Sequence, residues 1–190
     1  MSKKLAGLAV TAILSACAPQ SLDAGGEAPL AAVTMAETAG CLEGPNAQFG
    51  RYLGDWTMTS TSLSRQDGKT WTENPPARWN FTCVGNGVAI QDFWMPSAGG
   101  YGTNLRMYNA EKERWEIVWT STGTPGLSEI TARQDESGNI VMEYVKPIPS
   151  PLRRITFFKP TEEGWDWHMA MSQDGGENWL TVVKMKATPR

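Results

Sequence analysis

Short segments in which apolar and polar residues alternate fill the chain from about residue 54 to its end. Residues 115–120 read Trp-Glu-Ile-Val-Trp-Thr, and residues 165–172 read Trp-Asp-Trp-His-Met-Ala-Met-Ser. A period of two places successive side chains on opposite faces, so each segment predicts a strand with one buried and one solvated face. The pattern predicts ten strands, at 55–63, 77–84, 87–95, 102–109, 114–121, 128–134, 139–145, 153–159, 164–171 and 179–187.

Turn-forming residues separate these segments at regular intervals. Examples are Asp67-Gly68, Gly85-Asn86-Gly87 and Asp174-Gly175-Gly176. No segment has a long helical period, although residues 44–53 could form a short helical turn. Short strands joined by tight turns predict an all-β fold, most simply a single antiparallel up-and-down barrel of about ten strands, which leaves no open sheet edge. A barrel of this size can hold a small ligand in its lumen.

The first residues of the chain have the pattern of an export signal. Lys3 and Lys4 precede an apolar run over residues 5–14, which is shorter than the roughly 20 residues that span a bilayer. The quartet Leu14-Ser15-Ala16-Cys17 then resembles the lipobox of bacterial lipoproteins. This resemblance implies removal of residues 1–16 and attachment of a diacylglycerol to Cys17. An ordinary signal peptide with an incidental cysteine is the alternative.

The resemblance also implies where the protein resides. Residue 18 is alanine and not aspartate, which in a host with two membranes indicates the outer membrane. Residues 18–40 are rich in Ala, Gly, Pro, Ser and Thr, a composition typical of a flexible linker. We therefore expect a signal peptide at 1–16, a lipidated tether at 17–45, and a barrel domain at 46–190. The exported domain would be anchored in the bacterial envelope, facing the periplasm or the cell surface.

Charge and cysteine content narrow the possibilities further. The formal net charge is −3 and basic residues do not cluster, which argues against a nucleic-acid partner. The chain contains nine tryptophans, a composition that favours strands over helices. If Cys17 carries lipid, Cys41 and Cys83 are left as a possible disulfide in an oxidising compartment. Two buried free thiols are the alternative.

Residues 49–56, Phe-Gly-Arg-Tyr-Leu-Gly-Asp-Trp, resemble the beginning of a lipocalin-type, or calycin, barrel. In that superfamily the first strand opens with Gly-x-Trp, here Gly54 and Trp56. The resemblance implies that Trp56 closes one end of the barrel and stacks on a basic residue near the end of the last strand, Lys184 or Lys186. The second lipocalin signature, Thr-Asp-Tyr, is absent from the sequence, so the chain is not a close lipocalin.

Three further segments are similar to bacterial lipocalin-like proteins of unknown function, the DUF1579-like group. They are residues 101–108, 115–119 and 172–179, and the similarity would cover about residues 46–188. Residues 172–179 also fit the Asp-box of sialidase propellers, Ser-x-Asp-x-Gly-x-x-Trp, and residues 64–71 form a degraded copy. One and a half copies do not make a propeller, so we interpret both as structural hairpin turns.

Arg106 is the candidate polar anchor for a ligand. It lies between Asn104 and Tyr108 on one strand face. Fatty-acid-binding barrels use an interior arginine to bind a ligand carboxylate through two hydrogen bonds, and Arg133 or Arg154 could assist. The alternative is an arginine on the outer face, solvated or paired with Glu116 or Glu129. The candidate ligand-binding residues are Arg106, Tyr108, Trp119, Trp165, Trp167 and Met169.

His168 is the only histidine, so metal sites built from several histidines are excluded. A single histidine could bind haem, as in barrels of the nitrobindin type, but a surface position is the simpler interpretation. We predict no cofactor and no metal site. A lyase or isomerase on a calycin barrel would need Asp166 and His168 to converge inside a pocket.

Two functions follow from this architecture. The first is a membrane-tethered barrel that binds a small, mostly apolar ligand. The second is a lipoprotein with a filled barrel that acts through interactions with an envelope complex. The lumen distinguishes them, because a carrier needs an apolar cavity on the order of several hundred Å³.

Overall fold

A computed structural model describes residues 37–190 and shows the all-β fold that the alternation predicts. All ten predicted strands are present, with small shifts at their ends, and one short strand is added. The strands are β1 (Gly54–Leu63), β2 (Trp71–Glu73), β3 (Ala77–Val84), β4 (Ala89–Pro96), β5 (Gly102–Asn109), β6 (Arg114–Ser121), β7 (Thr124–Gln134), β8 (Ile140–Lys146), β9 (Leu152–Phe157), β10 (Trp165–Ser172) and β11 (Leu180–Pro189). In the described range, no helix has the length and apolarity to cross a membrane.

The strands form a closed antiparallel barrel. From β3 onward each strand pairs with its neighbours in the chain, β3 also pairs with β1, and β11 returns to pair with β1. The barrel therefore consists of β1 and β3–β11, which confirms the prediction of a ten-stranded up-and-down barrel. Closure pairs β11 with β1, so these two strands of the barrel are not open edges.

The additional strand, β2, was not predicted. It pairs with the last three residues of β1 and lies outside the closed barrel, with all three of its residues exposed. A strand with no buried face has no reason to alternate apolar and polar residues. Periodicity therefore gave no sign of it.

The N-terminal part of the described chain fills one end of the barrel, which we call the closed end. It consists of two 3₁₀ turns (Ala39–Cys41 and Gly44–Asn46) and a single α-helical turn, α1 (Ala47–Gly50). Phe49 and Tyr52 are fully buried in the barrel. Burial raises the pKa of Tyr52 to about 12, against the influence of Arg51, so its hydroxyl stays neutral and donates to the carbonyl of Phe158 at 2.9 Å.

Part of the segment expected as a tether contacts the barrel, although most of residues 37–45 are exposed. Cys41 is fully buried and is joined to Cys83 by a disulfide. The Gly40 N–H donates to Asn86 Oδ1 at 2.9 Å, so this segment is also hydrogen-bonded to the barrel. Contacts with the barrel therefore begin within the segment expected as a tether. Cys17, the signal peptide and the rest of the expected tether lie outside the described residues.

Trp56 packs at the closed end without the predicted basic partner. Its Nε1 donates to the carbonyl of Tyr52 at 2.8 Å, and its ring meets Trp165 edge-on at 5.7 Å between centroids. Lys184 instead lies over Trp71, with Nζ 4.6 Å from the ring centroid. Lys186 Nζ is 4.0 Å from a carboxylate oxygen of Glu163. The prediction that one of these two lysines stacks on Trp56 is wrong.

Candidate functional site

A cavity of about 190 Å³ occupies the half of the barrel opposite the closed end. Most of its lining is apolar, and the side chains at its outer part are only partly buried, so the cavity opens toward solvent. The alternation along each strand supplies the lining, because every second residue points inward. The cavity is lined by Trp79, Trp94, Asn104, Arg106, Trp119, Ile130, Met142, Tyr144, Ile155, Phe157, Trp167, Met169 and Met185.

Below the cavity the lumen is filled by aromatic side chains. Phe49 from α1 meets Trp115 edge-on at 4.9 Å and Phe157 at 5.5 Å between centroids. Trp165 stacks on Phe157 at 5.5 Å. Edge-to-face and offset contacts of this kind are the geometries that aromatic quadrupoles favour. The closed half is therefore a packed core, and the open half is the candidate binding site.

Arg106 lies at the boundary between this core and the cavity. Its side chain is fully buried, with the guanidinium carbon 4.8 Å from the ring centroid of Phe49 and 5.2 Å from that of Phe81. Guanidinium over aromatic faces is a favourable cation–π arrangement. Arg106 therefore lies inside the barrel and not on the outer face, which was the alternative position.

Asp92, on the neighbouring strand β4, forms a buried ion pair with Arg106. One carboxylate oxygen contacts Arg106 Nη2, and neither side chain is exposed. The Asp92 carboxylate also accepts the backbone N–H of Asn104 at 3.0 Å and the side-chain amide of Asn104 at 3.0 and 3.2 Å. Burial lowers the pKa of Arg106, and Asp92 opposes that shift. The pair and its hydrogen bonds compensate two charges that would otherwise be costly inside the barrel.

The expected partners of Arg106 lie elsewhere. Glu116 pairs with Lys112 and Arg114 on the outer wall, which lowers its pKa to about 2. Glu129 pairs with Lys146. The expected helpers are also outside the lumen, because Arg133 donates to two backbone carbonyls and Arg154 pairs with Glu143.

Four of the six candidate ligand-binding residues line the cavity: Arg106, Trp119, Trp167 and Met169. The other two contribute to packing near the closed end. Tyr108 meets Trp115 edge-on at 5.5 Å, and Trp165 is packed against Tyr52 at 5.0 Å between centroids. The structure thus brings most of the predicted set together, and it places Tyr108 and Trp165 away from the cavity.

Asp92 is the main site residue that sequence reasoning missed. It occupies an inward position between Ile90 and Trp94, where a carboxylate is unexpected. The signal available in the sequence was a charged residue at an apolar position of the alternation in this strand. In the structure Asp92 lies directly opposite Asn104. Such an interior charge needs a partner, and Arg106 is two residues beyond Asn104 on the same face of β5.

Trp119 covers the wall of the cavity at Gly102. The indole ring occupies the space where a side chain would stand, since an added Cβ at Gly102 would lie 2.1 Å from the nearest ring carbon. Glycine therefore allows the ring to lie directly on the backbone of β5. Any larger residue must displace the ring from this wall.

His168 faces the outer wall. It alternates with the inward-pointing Trp167 and Met169, and its ring contacts Phe158 at 4.7 Å between centroids. Burial lowers its pKa, Lys184 lowers it further, and Asp166 acts in the opposite direction. Asp166 and His168 share this outer face, so they do not converge in the cavity. The position gives no support to His168 as a haem ligand inside the barrel.

The segment 172–179 forms a tight hairpin turn. The Asp174 carboxylate accepts the backbone N–H and side-chain amide of Asn178 at 3.0 and 2.8 Å, bonds that hold its pKa well below the usual range. Trp179 closes the turn by donating to the carbonyl of Gly176 at 2.9 Å and stacking under Arg154. These contacts are internal to the turn and its neighbouring strand, which fits the structural interpretation.

The barrel is similar in fold to a known protein structure. No protein-family model matches the chain, and no curated protein matches it significantly. Among solved structures, the S-type phycobiliprotein lyase CPES from Guillardia theta is similar, with a TM-score of 0.51 and 14% sequence identity. The match covers 81% of this chain and 97% of that one. The chain therefore shares the lipocalin-like barrel fold of that lyase.

Proposed function

We propose that this protein is a membrane-anchored barrel of the bacterial envelope that binds a small, mostly apolar molecule in its open half. The observation that carries the proposal is the cavity itself, which is open to solvent, lined by four tryptophans and three methionines, and provided with one buried polar pair. Ligand sites typically combine such apolar walls with a few polar groups that orient the ligand.

The size of the cavity limits the ligand. Its volume of about 190 Å³ is below the several hundred Å³ expected from the sequence for a carrier, so the cavity is too small for a long lipid. Apolar cavities of about 150 Å³ bind benzene. A ligand of one or two rings, or a short branched chain, is the size that this cavity accepts without rearrangement.

Native mass spectrometry of the intact protein, isolated gently from its host membrane, tests the proposal. We expect a mass increment in the range of one small molecule, lost on denaturation. The Gly102→Ala variant should lose most of this increment, because its new Cβ drives the Trp119 ring into the cavity. Gly123→Ala is the matched control, since a Cβ at Gly123 meets no atom within 4 Å. A bare mass for the wild type, with no uptake of added aromatic compounds, would contradict ligand binding.

The proposed anchor makes a separate prediction. Metabolic labelling with a fatty-acid analogue should label the wild-type protein and leave the Cys17→Ser variant unlabelled, because only a cysteine thiol accepts the diacylglycerol. The Cys41→Ser/Cys83→Ser variant should retain the label, which separates loss of lipidation from a general effect of removing cysteines. Label on the Cys17→Ser variant, or none on the wild type, would refute anchoring at this residue.

A second candidate function is an interaction module, favoured by one feature of the outer wall. Leu105, Met107 and Val118 are 41, 48 and 39% exposed on the adjacent strands β5 and β6, where Leu105 lies directly opposite Val118. Neighbouring apolar side chains on an outer face are typical of protein–protein contacts. A bare barrel in native mass spectrometry, together with crosslinks from this wall to an envelope protein, would favour this second function.

A further inference from the structure

Four side-chain donors around the cavity have no acceptor. Among residues 37–190, every buried side-chain polar atom without a hydrogen bond is a nitrogen of an arginine or a tryptophan. Three residues that line the cavity carry such atoms: Arg106 at Nε and Nη1, Trp79 at Nε1 and Trp167 at Nε1. A buried donor without an acceptor is energetically unfavourable. A ligand with an acceptor oxygen can satisfy such a donor, so it should bind more tightly than a pure hydrocarbon of the same size.

The charge on Arg106 is already balanced. Asp92 is fully buried and contacts the guanidinium, and its two oxygens receive further hydrogen bonds from Asn104. A ligand carboxylate at Arg106 would place a second buried anion beside a single cation. An excess buried charge of this kind is strongly unfavourable, so the site discriminates against anionic ligands.

The walls favour flat rings. The indoles of Trp79, Trp94, Trp119 and Trp167 line the cavity together with flexible methionines. Tryptophan faces and thioether sulfurs both make favourable contacts with aromatic rings. Burial raises the pKa of Tyr144, another lining residue, so its phenol adds no charge to the site.

We infer that the lumen selects an uncharged aromatic carbonyl compound of one or two rings, such as an aryl ketone or a small quinone. Its ring packs among the tryptophans, and its carbonyl oxygen accepts a hydrogen bond from Nε or Nη1 of Arg106. This inference rests on the proposed function, and it replaces the carboxylate ligand expected from Arg106 alone.

Three probes of similar size test this selection: ethylbenzene, acetophenone and benzoate at pH 7.5. Dissociation constants for the intact protein are measured from the indole N–H resonances, with the free probe concentration determined in each sample. We expect acetophenone to bind at least tenfold more tightly than ethylbenzene and at least tenfold more tightly than benzoate. The Trp79 and Trp167 indole resonances should shift most with acetophenone.

Variants of the Asp92–Arg106 ion pair separate the effect of the negative charge of Asp92 from the effect of the hydrogen-bond donors of Arg106. Asp92→Asn removes the negative charge and leaves Arg106 without a counter-ion, so benzoate should become the tightest of the three probes. Asp92→Leu/Arg106→Met replaces the pair by apolar side chains of similar size, a change that buried ion pairs often tolerate. This variant should bind ethylbenzene and acetophenone with similar affinity. If Asp92→Asn does not fold, the role of the pair can still be measured with this double variant.

The outcomes distinguish this inference from the proposed function. Binding of all three probes with equal affinity, or preference of the wild type for benzoate, would overturn the inference and leave ligand binding intact. No binding of any probe, ethylbenzene included, would overturn both. Preference for acetophenone that the double variant loses would support both.

Discussion

The Asp92→Ala variant is expected to lose about 3–5 kcal/mol of unfolding free energy, because it leaves Arg106 charged and fully buried without its partner. The Asn104 amide and backbone N–H lose their acceptor at the same time. Equilibrium denaturation in urea, followed by tryptophan fluorescence, measures the change. The loss is large relative to the total stability of a typical domain, so the variant should be close to unfolding at 37 °C.

Two comparison variants test whether the unpaired charge on Arg106 causes the loss of stability in Asp92→Ala. Asp166→Ala removes an exposed aspartate from the outer face of β10 and should cost less than about 1 kcal/mol. Asp92→Leu/Arg106→Met should recover the part of the loss that comes from the unpaired charge on Arg106, since it removes both charges together, whereas Asn104 still lacks its acceptor. If Asp92→Ala is as stable as Asp166→Ala, the Asp92–Arg106 pair does not stabilise the interior of the barrel.

The second large effect concerns the disulfide at the closed end. The Cys41→Ser/Cys83→Ser variant is expected to lose about 4 kcal/mol, the value that the chain-entropy model gives for a loop of this length. Cys41 fixes the segment that leads into α1, and α1 carries Phe49 into the core. Loss of the bridge therefore also weakens the packing that closes this end of the barrel.

Reductant provides the control for this prediction. Thermal unfolding of the wild type should shift to lower temperature in excess dithiothreitol, whereas the double serine variant should unfold at the same temperature with and without it. A wild type that is insensitive to reductant after full reduction, confirmed by thiol titration, would show that the bridge adds little stability.

The strands could be predicted because burial imposes a period of two on a barrel wall. Trp115 and Ile117 share the buried face of β6, and Trp167 and Met169 line the lumen from alternate positions of β10. Strand β2 escaped prediction because it buries no face. The sequence predicts a short helical turn within residues 44–53. It does not predict that this turn closes the barrel, because the burial of the turn depends on contacts with strands far along the chain.

Other contacts depend on the register between neighbouring strands. The alternation of apolar and polar residues along each strand does not specify that register. Trp56 lies opposite Pro189 in the pairing of β1 with β11, whereas Lys184 lies opposite Thr61. The two lysines therefore come too early in the last strand to reach Trp56. The partnership of Asp92 with Arg106 likewise requires the exact pairing of β4 with β5, and the cavity volume depends on the packing of every lining side chain.

The most direct test of ligand binding in the open half is a crystal of the protein pressurised with xenon. Xenon enters apolar cavities of this size without any need to know the natural ligand. We expect a xenon peak inside the barrel, between Trp79, Trp119 and Trp167 and on the open side of Arg106. A lumen filled by these side chains, with no xenon between them, would contradict a binding site in the open half.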